Sequence, residues 1–154
     1  MSTTTTDRIE KQVLLPAPRA RVWRALTDAQ EFGTWFKAAL RKPFETGTTV
    51  EGNITHPGYE HVKLEMTIVA MEPERRFAYR WHPYAIDPAA DYSQEPTTLV
   101  EFTLEDAPGG TLLTVVETGF DALPLERRAA ALKSNDQGWA GQMTAIERYL
   151  RQHP

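Results

Sequence analysis

Toward the carboxyl end, apolar side chains fall at Trp139, Met143, Ile146 and Leu150, the i, i+4, i+7, i+11 spacing of a single helical stripe. Gln142 and Tyr149 flank that stripe, while Gln137, Thr144, Glu147, Arg148 and Arg151 fall on the opposite face. The spacing predicts one amphipathic helix over 134–152. At about 1.5 Å per residue it spans roughly 28 Å, enough to cover long strands. Ser134 or Asn135 suits its N-cap, Asp136 its positive end, and Arg148 and Arg151 its negative end. Gly138 and Gly141 each cost about 1 kcal/mol relative to alanine in a helix. They are read as clearances that let backbone, or something bound, come close.

Upstream, Arg8–Leu15 reads as a strand ended by Pro16. Pro18 suits the first position of a short helix over 18–26 whose buried side is Val22, Trp23 and Leu26. Asp28 with Glu31 forms a capping box that opens a second short helix carrying Phe32, Trp35 and Phe36. From residue 48 the period changes to two. It predicts strands at 48–55, 61–71, 76–82, 97–104 and 111–118, with turns at Pro57-Gly58, 72–75 and Pro108-Gly109-Gly110. Their inward sets are Val50, Gly52 and Ile54; Val62, Leu64, Met66 and Ile68; Phe77, Tyr79 and Trp81; Val100, Phe102 and Leu104; and Leu113, Val115 and Glu117. A 14-residue connection over 83–96 is longer than a hairpin needs, a length that marks a lid, a binding loop or disorder. A helical piece over 125–132 precedes the long helix. Residues 1–7 are polar and expected to be disordered, and 8–154 form one domain. A sheet with one apolar face buries it here by curling around the terminal helix. The expected class is therefore α+β: a curved six-stranded antiparallel sheet wrapped around a long C-terminal helix, with two short helices after strand one.

Composition narrows the function. The 154 residues and 41% hydrophobic content fit one soluble domain that needs no staple. A net charge of -4 with no basic stripe argues against nucleic acid. No apolar run approaches the roughly 20 residues of a membrane span, and residues 1–7 lack a signal peptide's regions, so a cytoplasmic location is expected. The chain has no cysteine, which excludes thiol catalysis, thiolate metal sites and disulfides. Ser2, Ser93 and Ser134 sit in no nucleophile elbow, and there is no phosphate-cradling glycine motif. No cofactor is expected.

Five segments resemble a known family. They are Pro-Ala-Pro-Arg-Ala-Arg-Val-Trp-Arg-Ala-Leu-Thr-Asp (16–28), Met-Glu-Pro-Glu-Arg-Arg-Phe (71–77), Phe-x-Tyr-x-Trp (77–81), Thr-Val-Val-Glu-Thr-Gly-Phe (114–120) and Gly138-Trp139. They are similar to homologues of the activator of heat-shock protein 90 ATPase, within the START-like (SRPBCC, Bet v-like) superfamily. The resemblance covers residues 8–152 and implies a helix-grip fold with a cavity between sheet and helix. It is specific for fold and not for function, since the superfamily includes lipid carriers, hormone receptors, polyketide cyclases and co-chaperone domains.

The side chains expected to line that cavity are Trp35, Phe36, Ile54, Leu64, Met66, Tyr79, Trp81, Tyr84, Phe120, Trp139, Met143 and Ile146, an apolar set suited to a small hydrophobic ligand, lipid or aromatic. Whether they leave space or fill it stays open on sequence alone. Glu117 is the odd member of its strand. Inward, it must find a partner, take a proton, or meet water or ligand. It is a candidate general acid or base, or one half of an ion pair with an arginine. His82 and Tyr84 flank the start of the 83–96 loop, where His82 is a second catalytic candidate if it is more than the end of a strand stopped by Pro83. His56, Tyr59, Glu60 and His61 gather around one turn, but that spacing is met by solvated turns, and no metal site is expected. Three functions remain: a carrier or receptor of a hydrophobic small molecule, a co-chaperone acting on a chaperone ATPase, and a cyclase- or hydrolase-type enzyme. The eukaryotic activators carry a further N-terminal domain important for stimulation, so the co-chaperone reading is expected to rank below binding. The protein is expected to be a monomer or homodimer.

Overall fold

The chain runs β1 (Arg8–Leu15), α1 (Arg19–Thr27), α2 (Ala29–Phe36), β2 (Ala38–Leu40), β3 (Thr49–Ile54), β4 (Lys63–Glu72), β5 (Arg76–Trp81), β6 (Thr98–Ala107), β7 (Gly110–Thr118), a 3-10 turn (Phe120–Ala122) and α3 (Leu125–Gln152). This computed structural model describes residues 7–87 and 89–154. Residues 1–6 of the tail expected to be disordered lie outside the described residues. Asp7 is tied down, its carbonyl accepting from Gly119 N and its carboxylate from Asp121 N.

All strands join one antiparallel sheet in the order β1-β7-β6-β5-β4-β3-β2. It has seven strands where six were expected. The addition is β2, whose three residues pair with β3 from Ala38↔Ile54 to Leu40↔Gly52. Three residues are too few to show a period. They follow α2 at once because Lys37 takes a left-handed conformation, φ 69°, and turns the chain back.

The last helix is longer than expected. It runs unbroken from Leu125 to Gln152, 28 residues, with Pro124 at its N-cap. Ser134 and Asn135 therefore sit mid-helix and cap nothing. The polar run from Lys133 to Gln137 is one turn within the helix, and the Asn135 amide is satisfied by a bond to Glu117. No other segment of the described chain uses the two glycines as clearances, since nothing outside the helix backbone lies within 4 Å of a Cβ built at Gly138 or Gly141.

The stripe Trp139, Met143, Ile146 and Leu150 is buried, each such side chain contributing roughly 1.5–3 kcal/mol over its exposed state. Trp139 meets the inward face of the sheet, its ring 5.6 Å from Phe102 and 5.8 Å from Trp81. The sheet thus wraps α3 in a helix grip. At α2 the Asp28 carboxylate accepts from Gln30 N and Glu31 N at 3.0 Å. Glu31 does not complete the expected box. It turns to Arg21, Arg24 and Tyr149 and ties α1, α2 and α3 together. Pro18 stands one position earlier than expected, as N-cap of α1.

Strand β4 pairs with β5 only from Thr67↔Arg80 onward, while its first residues from Lys63 pair with β3. Strand β5 ends at Trp81, so the first residues of β4 run on past it, and the loop from His82 to Thr97 leads from that end to β6.

Candidate functional site

A pocket of about 490 Å³ opens where β4 runs on past the end of β5, within the usual size of a small-molecule site. Phe36 and Lys37 come to it from the end of α2, Ile54 from β3, and His56 and Tyr59 from the turn after it. Val62, Lys63 and Leu64 arrive at the start of β4, Trp81 and His82 at the end of β5, and Pro83 to Ile86 form the loop side. From α3 come Ser134, Asn135, Gly138 and Gln142, polar or small residues that leave the helix surface open.

Two backbone positions on this wall are strained. Among the described residues, the non-glycine residues with positive φ are Lys37 (69°), Glu74 (61°) and Tyr84 (53°), and Lys37 and Tyr84 both line the pocket. Such conformations persist only where surrounding contacts hold them. For Tyr84 the holder is Arg127. Its guanidinium donates to the Tyr84 and Pro83 carbonyls, each at 2.9 Å, and forks onto the Glu95 carboxylate at 2.9–3.0 Å. It also lies 4.8 Å from the Tyr92 ring centre. His82 Nε2 lies 3.2 Å from the Glu95 carbonyl. The loop is thus clamped to the first turn of α3. Arg127 carries no mark in the sequence, because its partners lie 32 to 44 residues away.

Glu117 is fully buried. Its Oε1 accepts from Trp139 Nε1 at 2.8 Å and Asn135 Nδ2 at 3.0 Å. Its Oε2 accepts from Trp81 Nε1 at 2.7 Å, Thr98 Oγ1 at 2.5 Å and Asn135 Nδ2 at 3.2 Å. Period two thus turned it inward as expected, but the partners are neutral donors and none is an arginine. A buried carboxylate so surrounded fixes the groups that donate to it. Two of these, Trp81 and Asn135, line the pocket, so Glu117 stands directly behind the wall. The fully buried Tyr79 hydroxyl has no hydrogen-bond partner among the described residues. Burial first, then the charge of Glu117, holds its pKa well above the usual tyrosine value.

Of the cavity residues expected from sequence, Phe36, Ile54, Leu64, Trp81 and Tyr84 lie on the pocket wall, together with His82. Trp35, Met66, Tyr79, Phe120, Trp139, Met143 and Ile146 are buried in the core with Glu117 and off that wall. Ring packing explains the division. Phe32 stacks on Phe36 at 4.8 Å and Tyr79 meets Trp81 at 5.3 Å, so aromatic side chains occupy the space inside and the opening lies at the mouth. Trp35 also spends its N–H on the Ala25 carbonyl at 2.9 Å. Lys37, Val62, Lys63, Asn135, Gly138 and Gln142 were not singled out as wall residues, because alternation tells inward from outward and not mouth from centre. His56 and Tyr59 meet ring to ring at 5.5 Å and Glu60 accepts from Gly58 N, while His61 faces a neighbouring cleft. Among the described residues no three His, Asp or Glu side chains are grouped to hold a metal ion. No described helix is long and apolar enough to cross a membrane.

The sequence profile of the activator of Hsp90 ATPase homolog 1-like proteins matches residues 16–151. The chain belongs to that family. Solved structures share the fold of this AHSA1-like chain. DynU16, from the dynemicin biosynthetic locus, is 25% identical with a TM-score of 0.73 over 94% of this chain, which spans only 47% of the DynU16 chain. Protein MLL2253 from Mesorhizobium loti is 22% identical at a TM-score of 0.74, covering 96% of this chain and 98% of its own. The Aha1 dimer from Colwellia psychrerythraea is 13% identical at 0.68, covering 91% of this chain and 92% of its own. The last two speak for the fold alone. No curated protein matches the AHSA1-like chain.

Proposed function

We propose that this AHSA1-like chain binds a hydrophobic small molecule at the mouth pocket, beneath the loop clamped by Arg127. The observation that carries the reading is the bare helix surface at Gly138. An exposed mid-helix glycine costs about 1 kcal/mol, no protein atom approaches it, and it faces a cavity walled by Phe36, Ile54, Leu64, Trp81 and Tyr84. That combination suits a ligand lying against the helix. Glu117 has the role of positioning Trp81 and Asn135, not of moving a proton, because both its oxygens are engaged. The origin of DynU16 in a biosynthetic locus supports a small-molecule setting. The test is fluorescence titration with the neutral dye N-phenyl-1-naphthylamine. Saturable binding, weakened at least about tenfold by Gly138→Leu and unchanged by Gly141→Leu, supports the reading. Equal binding by both variants, or none by the wild type, overturns it.

A second reading rests on the family match itself: stimulation of a chaperone ATPase. Its test adds the purified protein to an Hsp90-type ATPase. No stimulation and no complex on sizing chromatography removes it, and the same column shows whether the protein is a monomer or, as in the Colwellia relative, a dimer.

A further inference from the structure

The wall of the mouth pocket carries basic side chains and no carboxylate, Glu117 lying behind it under Trp81 and Asn135. Lys37 and Lys63 line it with His56 and His82, and no Asp or Glu is on its wall. That composition runs against the chain as a whole, which carries 21 acidic residues to 17 Lys and Arg. Acids do line the neighbouring cleft, where Glu51, Glu65, Asp87 and Asp91 stand among Arg41, His61, Lys63 and His82. The wall of the mouth pocket thus carries bases without acids, whereas the neighbouring cleft mixes both. A low-dielectric wall with cations at its rim focuses a positive potential into the opening, and an ammonium group donates well to an anionic oxygen.

We propose that the ligand is an amphipathic anion: an aromatic or acyl body lying on Trp81, Phe36 and Leu64, and a carboxylate, sulfonate or ionised enol head at the rim held by Lys37 and Lys63. Among the described residues neither lysine has an ion-pair partner within 4.0 Å, so both ammonium groups are free to meet the head. Lys37 carries the larger share, because Lys63 also lines the neighbouring cleft, where Glu51 and Glu65 compete for it. The strained backbone of Lys37, φ 69°, fixes where its side chain leaves the end of α2. The inference rests on the binding reading above and adds only the charge of what is bound.

The test uses two dyes with one aromatic body, N-phenyl-1-naphthylamine and its 8-sulfonate, titrated by fluorescence at low salt. The wild type is expected to favour the sulfonate by roughly three- to tenfold, a preference that shrinks at about 0.5 M salt. Lys37→Met brings the ratio of the two affinities close to one, Lys63→Met lowers it less, and Lys133→Met, on a part of α3 off the pocket, leaves it as in the wild type. Equal affinities in the wild type, or a ratio untouched by Lys37→Met and Lys63→Met, overturns the anion and leaves the pocket standing. Failure of both dyes to bind overturns both.

Discussion

The Trp139 indole N–H donates to Glu117 Oε1 at 2.8 Å, joining the middle of α3 to β7 inside the core. The same carboxylate holds Trp81, Thr98 and Asn135, so one side chain sets the relation of helix, sheet and pocket wall. Glu117→Gln keeps the shape but turns an amide donor toward groups that are themselves donors. It is expected to lower stability by about 3 kcal/mol in urea unfolding. A loss under about 1 kcal/mol contradicts the role given to the carboxylate.

Arg127 holds the loop through two carbonyls, one carboxylate and one ring. Arg127→Met keeps much of the stem and removes those bonds. Hydrogen exchange at the amides of Tyr84, Ala85 and Glu95 is expected to quicken by at least about tenfold, with β6 and β7 unchanged. Unaltered loop exchange means that the clamp does not hold the loop.

Glu31 supplies the pH dependence. Burial alone would raise its pKa, but bonds from Tyr149 and Arg21, the charge of Arg21 and the bond from Arg24 outweigh that and hold it below the usual 4.5. Because the folded value is the lower one, this stability is complete above the ordinary carboxylate range and is lost as pH falls through the folded value. Glu31→Gln is expected to cost about 1–2 kcal/mol at pH 7, with the gap from wild type closing in acid below about pH 4. A gap that does not change between pH 7 and pH 3 contradicts the assignment.

Gly141 is exposed on α3 with open space above it and lies off the pocket. Gly141→Ala is expected to raise stability by about 1 kcal/mol through helix propensity alone. A fall in melting temperature shows instead that something packs there.

The elements that could be read in advance are those whose cause is local. The Asp28 cap lies within three residues of the amides it bonds, and the stripe from Trp139 to Leu150 needs only the helical period. Glu117 was legible as inward because alternation fixes the face. Its partners were not, since they come from positions 81, 98, 135 and 139 and meet only when the sheet closes on α3. The pocket's place depends on β4 running on past the end of β5 at Trp81, and a strand that outruns its partner keeps the same alternation. Strand β2 and the join of 125–132 to the long helix escaped for opposite reasons, one too short to show a period and the other hidden by residues that also make good caps.

The most direct test of the pocket is fluorine NMR of protein labelled with 5-fluorotryptophan, titrated with N-phenyl-1-naphthylamine. Trp81 lines the pocket, Trp139 shares the Glu117 carboxylate behind it, Trp35 is bonded to the Ala25 carbonyl, and Trp23 lies on α1 off the wall. The account predicts the largest shift at Trp81, a smaller one at Trp139 and none at Trp23. A largest shift at Trp23 or Trp35, or saturable binding that leaves Trp81 unmoved, contradicts it.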